Sequence, residues 1–359
     1  MMIWSFKRKR HPDGTLDKHK ARLCCHECQQ QWGVNYWDTY APVVSWSSVR
    51  ILMTIAKLHN LHTKSVEFLQ AYPKAKIKSS IYLHPPAGVI LNRSKGDMVL
   101  KLIRNVYGLK DAGKTWNDFL KKGLIHRGWI QSNIDGCLFT KNVMLLILYV
   151  NDACFISPYK HKVDAEIKSL QQDYDLTDNG DLKDYLGTRF ERHKDGSVTL
   201  TQPRMMERVF NIVRIDPAST NVKLHDTPAS SDCILDNDPD GNPKLQKWSY
   251  RSAVGCLSYI RAIIRPDITM ATQQCARFCN DPKQEHEEAV KRICRYLLKT
   301  KEKGLVLRPD KSKGLECFVD ADWAGSWRHR SSNDPLSSHS RTGYYITYAG
   351  CSLMWKSKL

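Results

Sequence analysis

The sequence lacks a long hydrophobic run, and this absence argues against a protein that spans a membrane with an apolar helix. Its longest uninterrupted apolar stretch is Val143 to Val150, whereas a membrane-spanning helix needs about 18 such residues. The basic segment Met1 to Arg10 also lacks the apolar core of a signal peptide. We therefore expect no membrane partner and an intracellular location, cytoplasmic or nuclear.

Cysteine is present, but without the regular spacing of a disulfide framework. The 12 cysteines are scattered over 359 residues, which favours reduced thiols in an intracellular protein. One CxxC motif, Cys25-His26-Glu27-Cys28, has the spacing of a metal-ligand pair. A zinc site needs a second pair of ligands, and none follows closely.

Acidic residues are scarce relative to basic ones. There are 37 Asp and Glu against 55 Lys and Arg, which gives a net charge of +18. Such an excess favours a polyanionic partner such as nucleic acid, because each cation near a phosphate releases condensed counterions. A merely basic enzyme is the alternative that charge alone leaves open.

Hydrophobic periodicity predicts several helices and strands. Ser47 to Asn60 is predicted to be a helix with Ser48 as its cap and a buried side made of Val49, Leu52, Met53 and Ala56. The other predicted elements are the strand Ile81-Tyr82-Leu83, the helices Asp111–Leu124 (with Trp116, Phe119 and Leu120 inward) and Val163–Tyr174, the helical pair Tyr250–Phe278 and Gln284–Thr300, and strands within Leu315–Trp355. The segment Asp226–Lys247 has no periodicity and predicts a linker or a long loop.

A β-hairpin is the most informative local prediction. Two apolar runs, Met144 to Val150 and Ala153 to Ile156, are joined by Asn151-Asp152, and both residue types tolerate the positive φ of tight turns. A plain turn is one interpretation. In the other, carboxylates at the turn meet a third carboxylate from a neighbouring strand and bind hard divalent cations through oxygen.

Blocks along nearly the whole chain resemble, in the same order, those of copia-type retrotransposon reverse transcriptases. The blocks are Lys20-Ala21-Arg22-Leu23, Tyr40-Ala41-Pro42-Val43, Val66-Glu67-Phe68-Leu69-Gln70-Ala71-Tyr72, Ile81-Tyr82-Leu83-His84-Pro85-Pro86, Val106-Tyr107-Gly108-Leu109-Lys110, Tyr149-Val150-Asn151-Asp152, Tyr250-Arg251-Ser252-Ala253-Val254-Gly255, Arg265-Pro266-Asp267-Ile268 and Asp320-Ala321-Asp322-Trp323. The resemblance implies RNA-directed DNA polymerisation, with an RNA or DNA template–primer and dNTPs as partners.

The resemblance also implies a polymerase site at three positions. In the family, three Asp residues on the palm hold two Mg²⁺ ions, which align the primer 3′-hydroxyl with the dNTP α-phosphate. The matching residues are Glu67, Asn151 and Asp152, and of these only Glu67 and Asp152 keep a carboxylate as a metal ligand. An amide offers one neutral oxygen and cannot bridge two cations, and the longer Glu misplaces its carboxylate in chemistry that is sensitive to about 1 Å. We therefore expect polymerisation to be severely reduced or absent.

Nucleotide-binding residues are implied in the same way. Tyr72 matches an aromatic gate that favours deoxynucleotides, with a core aromatic as the alternative. Lys20 and Arg22 lie where the fingers contact a triphosphate, with a solvated basic face as the alternative. Just after them, Cys24 to Cys28 departs from the family pattern, which has a second Arg and a Gly there.

A further block matches the family segment beneath the template and the nucleotide. Its residues are Tyr107, Gly108 and Lys110, and Gly108 allows close approach of another backbone. A plain turn is the competing interpretation of these residues.

The last part of the chain resembles the beginning of a ribonuclease H domain. Asp320 matches the first of its four metal-binding carboxylates, and Asp322 is expected to be structural. The segment that carries the catalytic Glu is expected beyond Lys358, so the prediction is a truncated fragment that does not cleave RNA.

The predicted fold class is α+β. We expect a right-hand-like palm and fingers over residues 1–225, a linker or long loop over 226–248, a helical thumb or connection over 249–310, and an incomplete α/β ribonuclease H-like fragment over 311–359. The predicted function is a reverse transcriptase domain whose catalysis is impaired by the residues at its three site positions. A non-catalytic basic RNA/DNA-binding remnant is the alternative.

Overall fold

The computed structural model describes residues 2–10, 15–89, 98–219, 221–230, 234–238, 240–245, 247–325, 327, 329, 332 and 335–359. The chain forms two compact units. Unit 1 comprises Met1–Ser45 and His62–Asp181, and unit 2 comprises Trp46–Leu61 and Leu182–Leu359. The four functional segments predicted from the sequence stay predictions, because a division by packing does not test them.

Helices and strands are interspersed along the described parts of the chain. The α-helices are α1 (Trp46–Leu58), α2 (Ala71–Lys74), α3 (Ala112–His126), α4 (Lys160–Gln171), α5 (Pro203–Val213), α6 (Tyr250–Ile263), α7 (Thr269–Ala276) and α8 (Gln284–Lys299). The strands are β1 (Met2–Arg10), β2 (Leu16–Cys25), β3 (His62–Phe68), β4 (Tyr82–Leu83), β5 (Leu100–Lys101), β6 (Ile130–Gln131), β7 (Leu138–Lys141), β8 (Met144–Tyr149), β9 (Asp152–Ser157), β10 (Leu176–Asp181), β11 (Asp184–Tyr185), β12 (Thr188–Arg192), β13 (Val198–Thr201), β14 (Leu305–Leu307), β15 (Leu315–Ala321), β16 (Thr342–Tyr348) and β17 (Cys351–Lys358). This mixture of helices and several sheets confirms the α+β class in its coarse form.

A six-stranded antiparallel sheet forms the centre of unit 1, in the order β10-β3-β9-β8-β7-β6. The apolar runs of β8 and β9 lie inside this sheet, where each strand has a neighbour on both sides. Trp116 and Leu120 from α3 and Ile167 from α4 belong to the same buried cluster as Phe155 of β9. Since each such side chain contributes about 1.5–3 kcal/mol on burial, this cluster fixes the strands that carry the site.

Unit 1 also holds a two-stranded antiparallel ribbon, β1-β2, and a shorter pair, β4-β5. Met2 and Cys25, at one end of the ribbon, are buried with Leu83 and Leu109. Most of the other ribbon side chains that the structure describes are exposed.

Unit 2 contains a four-stranded sheet, β11-β12-β13-β14, a three-stranded sheet, β15-β16-β17, and five helices among its described residues. A buried arginine, Arg50, joins three of its elements. Its side chain is 3% exposed, and it donates from Nε to the Leu353 carbonyl at 2.6 Å and from Nη1 to the carbonyls of Ala262 and Ile263, both at 3.0 Å. Its guanidinium lies 4.1 Å from the ring centroid of Trp355, and burial lowers the pKa of Arg50 to about 10.

Two predicted helices are confirmed in position, but the predicted cap of one and one predicted inward side chain of the other are wrong. The helix predicted over Ser47–Asn60 is α1, and its four inward-facing apolar residues are buried; Ser48 lies inside this helix and does not cap it. In α3, Trp116 and Leu120 are buried as predicted, but Phe119 is 39% exposed.

The predicted helical pair of unit 2 is three helices. Pro266 lacks a backbone N–H, so it ends the first predicted helix, and a 3-10 turn at Pro266–Ile268 separates α6 from α7. The described part of the predicted linker 226–248 contains no helix or strand, and residues 231–233, 239 and 246 of it lie outside the described residues. Of the helices that the structure describes, none is both long and apolar enough to cross a membrane.

Candidate active site

The hairpin between β8 and β9 has its turn one residue earlier than predicted. Tyr149 pairs with Asp152, so the two-residue loop is Val150-Asn151, and the predicted turn Asn151-Asp152 is wrong. Asp152 is the first residue of β9, which gives its carboxylate a fixed place on a strand. The positive φ falls on Val150, at 55°, a conformation that costs a β-branched residue on the order of 1–3 kcal/mol.

Two hydrogen bonds hold this loop in place. Trp116 Nε1 donates to the Val150 carbonyl at 2.6 Å, and the Phe68 backbone N–H donates to the Asn151 carbonyl at 2.7 Å. Trp116 is itself fully buried against Phe68, with ring centroids 5.8 Å apart. The core therefore determines the position of the loop, and it offsets the strain at Val150.

Strand β3 brings the third predicted position to the same place. It pairs antiparallel with β9, and Glu67 lies directly opposite Asp152. Asn151 Nδ2 donates to Glu67 Oε1 at 3.3 Å. The structure thus brings together Glu67, Asn151 and Asp152, although Glu67 is far from the other two in sequence.

The carboxyl group of Asp152 has a raised pKa. Burial, and next the negative charge of Glu67, raise the pKa of Asp152 to about 6. A buried carboxyl group with a like charge beside it holds its proton more tightly, because both effects disfavour the anion.

The donor set does not fit a pair of divalent cations. Two Mg²⁺ ions about 3.5–4 Å apart require several bridging carboxylate oxygens, and this cluster offers the carboxylates of Glu67 and Asp152 alone. Asn151 directs an N–H donor at Glu67 Oε1, which removes a lone pair that a cation would need. Within the described part of the chain, no group of three or more His, Cys, Asp or Glu side chains could hold a metal ion.

A cavity of about 600 Å³ opens beside these residues. Of the predicted site residues, six line it, namely Glu67, Asn151, Tyr72, Tyr107, Lys20 and Arg22. Apart from the acidic cluster, the lining that these residues give is cationic and aromatic. A ligand with a ring and several negative charges matches this lining.

Tyr72 and Tyr107 form one wall of the cavity. Their ring centroids are 5.1 Å apart with planes at 62°, and the Arg22 guanidinium lies 4.7 Å from the Tyr107 ring centroid. Burial raises the pKa of Tyr72, and the neighbouring Tyr107 and Tyr149 raise it further. This packing orients Arg22 at the cavity while keeping the Tyr72 hydroxyl neutral.

Gly108 and Lys110 lie outside the cavity lining. Gly108 has φ +86°, and a Cβ there would lie 2.1 Å from the Cys25 carbonyl oxygen, so the predicted close backbone approach is real. It lets the Cys25 N–H donate to the Tyr107 carbonyl at 2.8 Å. Lys110 instead donates from its Nζ to the Tyr36 hydroxyl at 3.3 Å, and Tyr36 also lies outside the cavity lining.

The predicted ribonuclease H residue lies in unit 2. Asp320 is an exposed residue of β15. Asp322 accepts hydrogen bonds from the backbone N–H of Arg341 at 2.6 Å and of Gly325 at 3.3 Å, which is what a structural role requires.

Trp116 is a positioning residue that sequence reasoning does not assign to the site. Its helical spacing predicts that it faces inward, but nothing in that spacing indicates that its indole N–H donates to the Val150 carbonyl. This hydrogen bond depends on the packing of α3 against the sheet.

Asp152→Asn is expected to make stability less dependent on pH. An aspartate with a normal pKa near 4 when unfolded and about 6 when folded contributes stability below pH 4, and it loses that contribution as the pH rises through 6. Relative to the parent, the variant should therefore gain about 1–2 kcal/mol between pH 4 and pH 8, after discounting for solvent screening. Urea unfolding at several pH values, without divalent cations, measures this difference.

Glu67→Gln serves as the control for that experiment. It removes the negative charge of Glu67, which is the second cause of the raised pKa of Asp152. In a Glu67→Gln background, the stability gained by Asp152→Asn should therefore appear at a lower pH. A difference between parent and Asp152→Asn that stays constant from about pH 4 to pH 8 would contradict the raised pKa.

A family described as reverse transcriptase (RNA-dependent DNA polymerase) matches residues 1–226. A retrovirus-related Pol polyprotein from transposon TNT 1-94 of Nicotiana tabacum is 31% identical over 99% of this chain and 27% of its own length. The corresponding polyprotein from transposon RE1 of Arabidopsis thaliana is 29% identical over 99% of this chain and 23% of its own length.

A shorter relative is similar over most of its own length. The putative transposon Ty5-1 protein of Saccharomyces cerevisiae is 26% identical over 80% of this chain and 90% of its own length. The chain thus spans about a quarter of the two plant polyproteins and most of the yeast protein.

Proposed function

The chain belongs to the reverse transcriptases of copia-type retrotransposons, and from this premise we propose that unit 1 binds a template–primer and a dNTP but polymerises poorly. The observation that carries the proposal is the convergence of Glu67, Asn151 and Asp152 beside a cationic and aromatic cavity. In this proposal the six-stranded sheet is the palm and the ribbon β1-β2 belongs to the fingers.

The residues around the cavity have distinct roles in this proposal. Arg22 and Lys20 neutralise the phosphates of the incoming nucleotide through charge-assisted hydrogen bonds. Tyr72 lies beside the sugar and excludes a ribose 2′-hydroxyl by its bulk. When bound in the family's enzymes, divalent cations activate the primer hydroxyl and stabilise the leaving pyrophosphate, and this donor set does not supply enough carboxylates for that chemistry.

Unit 2 is proposed to contain the connecting helices and the opening strands of a ribonuclease H-like domain. The three-stranded antiparallel sheet β15-β16-β17 and the position of Asp320 on β15 support this proposal. An intracellular location, inferred from the irregular spacing of the cysteines, is likewise a proposal.

The alternative function is nucleic-acid binding without polymerisation. The hydrogen bond from Asn151 to Glu67 favours this alternative, because it gives the Glu67 carboxylate a partner without any cation. The net charge of +18 supports the same polyanionic partner in both cases.

Primer extension and salt-dependent binding, measured on the same purified protein, test the proposal. We expect binding to a template–primer whose affinity falls as salt rises, with extension far below that of a reverse transcriptase with three aspartates in either Mg²⁺ or Mn²⁺. Replacing both Lys20 and Arg22 with Ala should reduce the salt slope by about 0.9 for each phosphate that these two residues neutralise. Lys311→Ala, an exposed lysine of unit 2, is the matched control and should leave the slope unchanged.

Two outcomes would overturn parts of the proposal. Extension at family-typical rates would refute the impairment. Binding that is absent, or that does not respond to salt, would refute a nucleic-acid partner for this unit.

A further inference from the structure

The charge of the cavity in unit 1 favours an anion without the help of a divalent cation. Among the described residues that line the cavity, the charged side chains are Lys20, Arg22 and Glu67, which give the lining a net charge of +1. Asp152 is not part of this lining. An anionic ligand therefore meets an excess of positive charge, whereas three carboxylates at the site would repel the same ligand unless cations neutralised them.

Arg22 has hydrogen-bond donors available for a phosphate group. Its guanidinium lies 4.7 Å from the Tyr107 ring centroid, and this contact uses the face of the ring and none of the five N–H donors of the arginine. Within the part of the chain that the structure describes, the Arg22 side chain has no hydrogen bond or ion pair with another residue. Such a planar fork of donors matches the oxygens of a phosphate.

Asn151 places a donor where the family has a carboxylate. Its side-chain amide carries two N–H groups, and Nδ2 donates to Glu67 Oε1 at 3.3 Å. The opposite orientation of the amide would bring two oxygens together, so the Glu67 carboxylate determines this orientation. The second N–H has no acceptor among the described residues. Because Asn151 lines the cavity, this N–H can donate to a phosphate oxygen, which an aspartate at the same position would repel.

We propose that this cavity binds a nucleoside triphosphate without a divalent cation, with Arg22 and Asn151 donating to the phosphates. Its volume of about 600 Å³ is within the usual range for small-ligand sites. This inference rests on the proposed binding of a nucleotide by unit 1. It adds that the loss of the family's carboxylate at residue 151 has replaced metal-assisted binding of the triphosphate with direct binding by the protein.

Equilibrium dialysis of the purified protein with radiolabelled dTTP, in EDTA and in Mg²⁺, tests this inference. Because Mg²⁺ neutralises part of the charge of the triphosphate, the affinity in EDTA should equal or exceed the affinity in Mg²⁺. Thymidine, which has the same base and no phosphate, should bind far more weakly. Added salt should weaken the binding of dTTP.

Asn151→Asp is the decisive variant, because it exchanges an N–H donor for a negative charge at nearly constant size. In EDTA its affinity for dTTP should fall about tenfold or more, since a hydrogen bond to a charged group is lost, and Mg²⁺ should restore part of the loss. Asn151→Ala removes the donor without adding a charge and should lose less affinity. Asn133→Asp, at an exposed residue outside the lining, makes the same change in net charge and should have no effect.

Arg22→Ala assigns the binding to this cavity. Its affinity for dTTP should fall about tenfold or more in EDTA, again because a hydrogen bond to a charged group is lost. Lys122→Ala, at an exposed lysine of α3 outside the lining, should leave the affinity unchanged. Circular dichroism and a thermal melt establish that each variant is folded.

The outcomes separate this inference from the proposed function. Tighter binding of dTTP in Mg²⁺ than in EDTA would overturn direct binding of the triphosphate while leaving nucleotide binding by unit 1 intact. Equal affinities of the parent and of folded Asn151→Asp or Arg22→Ala in EDTA would overturn it as well. If dTTP binds the parent neither in EDTA nor in Mg²⁺, nucleotide binding by unit 1 is itself refuted.

Discussion

Replacing Glu67 and Asn151 together with aspartate should increase primer extension by about 100-fold or more, because misplacement of a reacting group by about 1 Å can cost that factor. The double change restores three carboxylates at the place where the structure already brings the three positions together. It also removes the amide N–H that Asn151 now directs at Glu67 Oε1. Single-turnover extension with saturating dNTP and Mg²⁺ measures the gain.

The single variants assign the effect. Asn151→Asp should recover more activity than Glu67→Asp, because it adds a missing charge whereas the other shortens a side chain that is already charged. Asp152→Asn in the restored background should abolish the gain. As a readout independent of turnover, Mn²⁺ binding followed by electron paramagnetic resonance should be tighter in the double variant than in the parent.

A restored variant that is folded, binds template–primer and Mn²⁺, and still fails to extend would contradict the view that the metal cluster is the main defect. The departure from the family pattern at Cys24 to Cys28 would then be the next region to change, since it follows the cavity-lining Arg22.

Arg50→Met should lower the free energy of unfolding of unit 2 by about 3–5 kcal/mol, because it leaves buried carbonyl groups without a donor. The carbonyls of Ala262 and Ile263 lie in the last turn of α6, where a helix has no internal donors left. Arg50 satisfies both of them, together with the carbonyl of Leu353 in β17, so one side chain joins three elements.

Urea unfolding, followed by a probe in unit 2, measures this decrease. The midpoint should fall with little change in the slope, since the surface exposed on unfolding is nearly the same. Arg50→Lys keeps the charge but not the planar fork of donors, and it should lose an intermediate amount of stability. Arg204→Met, at an exposed arginine of α5, should change stability by less than about 0.5 kcal/mol. If Arg50→Met loses no more stability than that control, the three carbonyl contacts do not stabilise unit 2.

The elements most accurately predicted were those with strong periodicity. The buried side of α1 and the apolar strands β8 and β9 follow from the spacing of their side chains alone. The same periodicity predicts an interior position for Phe119, which is exposed because it lies at the margin of the buried face of α3. Periodicity identifies a face but does not determine where its edge lies.

The hairpin shows that local residue preferences do not determine the position of a turn. These preferences predict a turn at Asn151-Asp152, since both residue types tolerate positive φ. The structure places the positive φ on Val150, because Trp116 and Phe68 hold the carbonyls of Val150 and Asn151. These two hydrogen bonds come from residues distant in sequence. They stabilise the observed turn by more than the positive φ of Val150 destabilises it.

By itself, the sequence determined the family and the mixture of helices and strands, and it predicted the three positions of the candidate site, because these depend on the order of short blocks and on local periodicity. Only the tertiary structure decided that Glu67 lies opposite Asp152, that Asn151 donates to Glu67, and that Arg50 closes the end of α6. Each of these depends on the register between strands or on the approach of separate elements. Such contacts arise from the packing of the whole unit, and no local stretch of sequence encodes them.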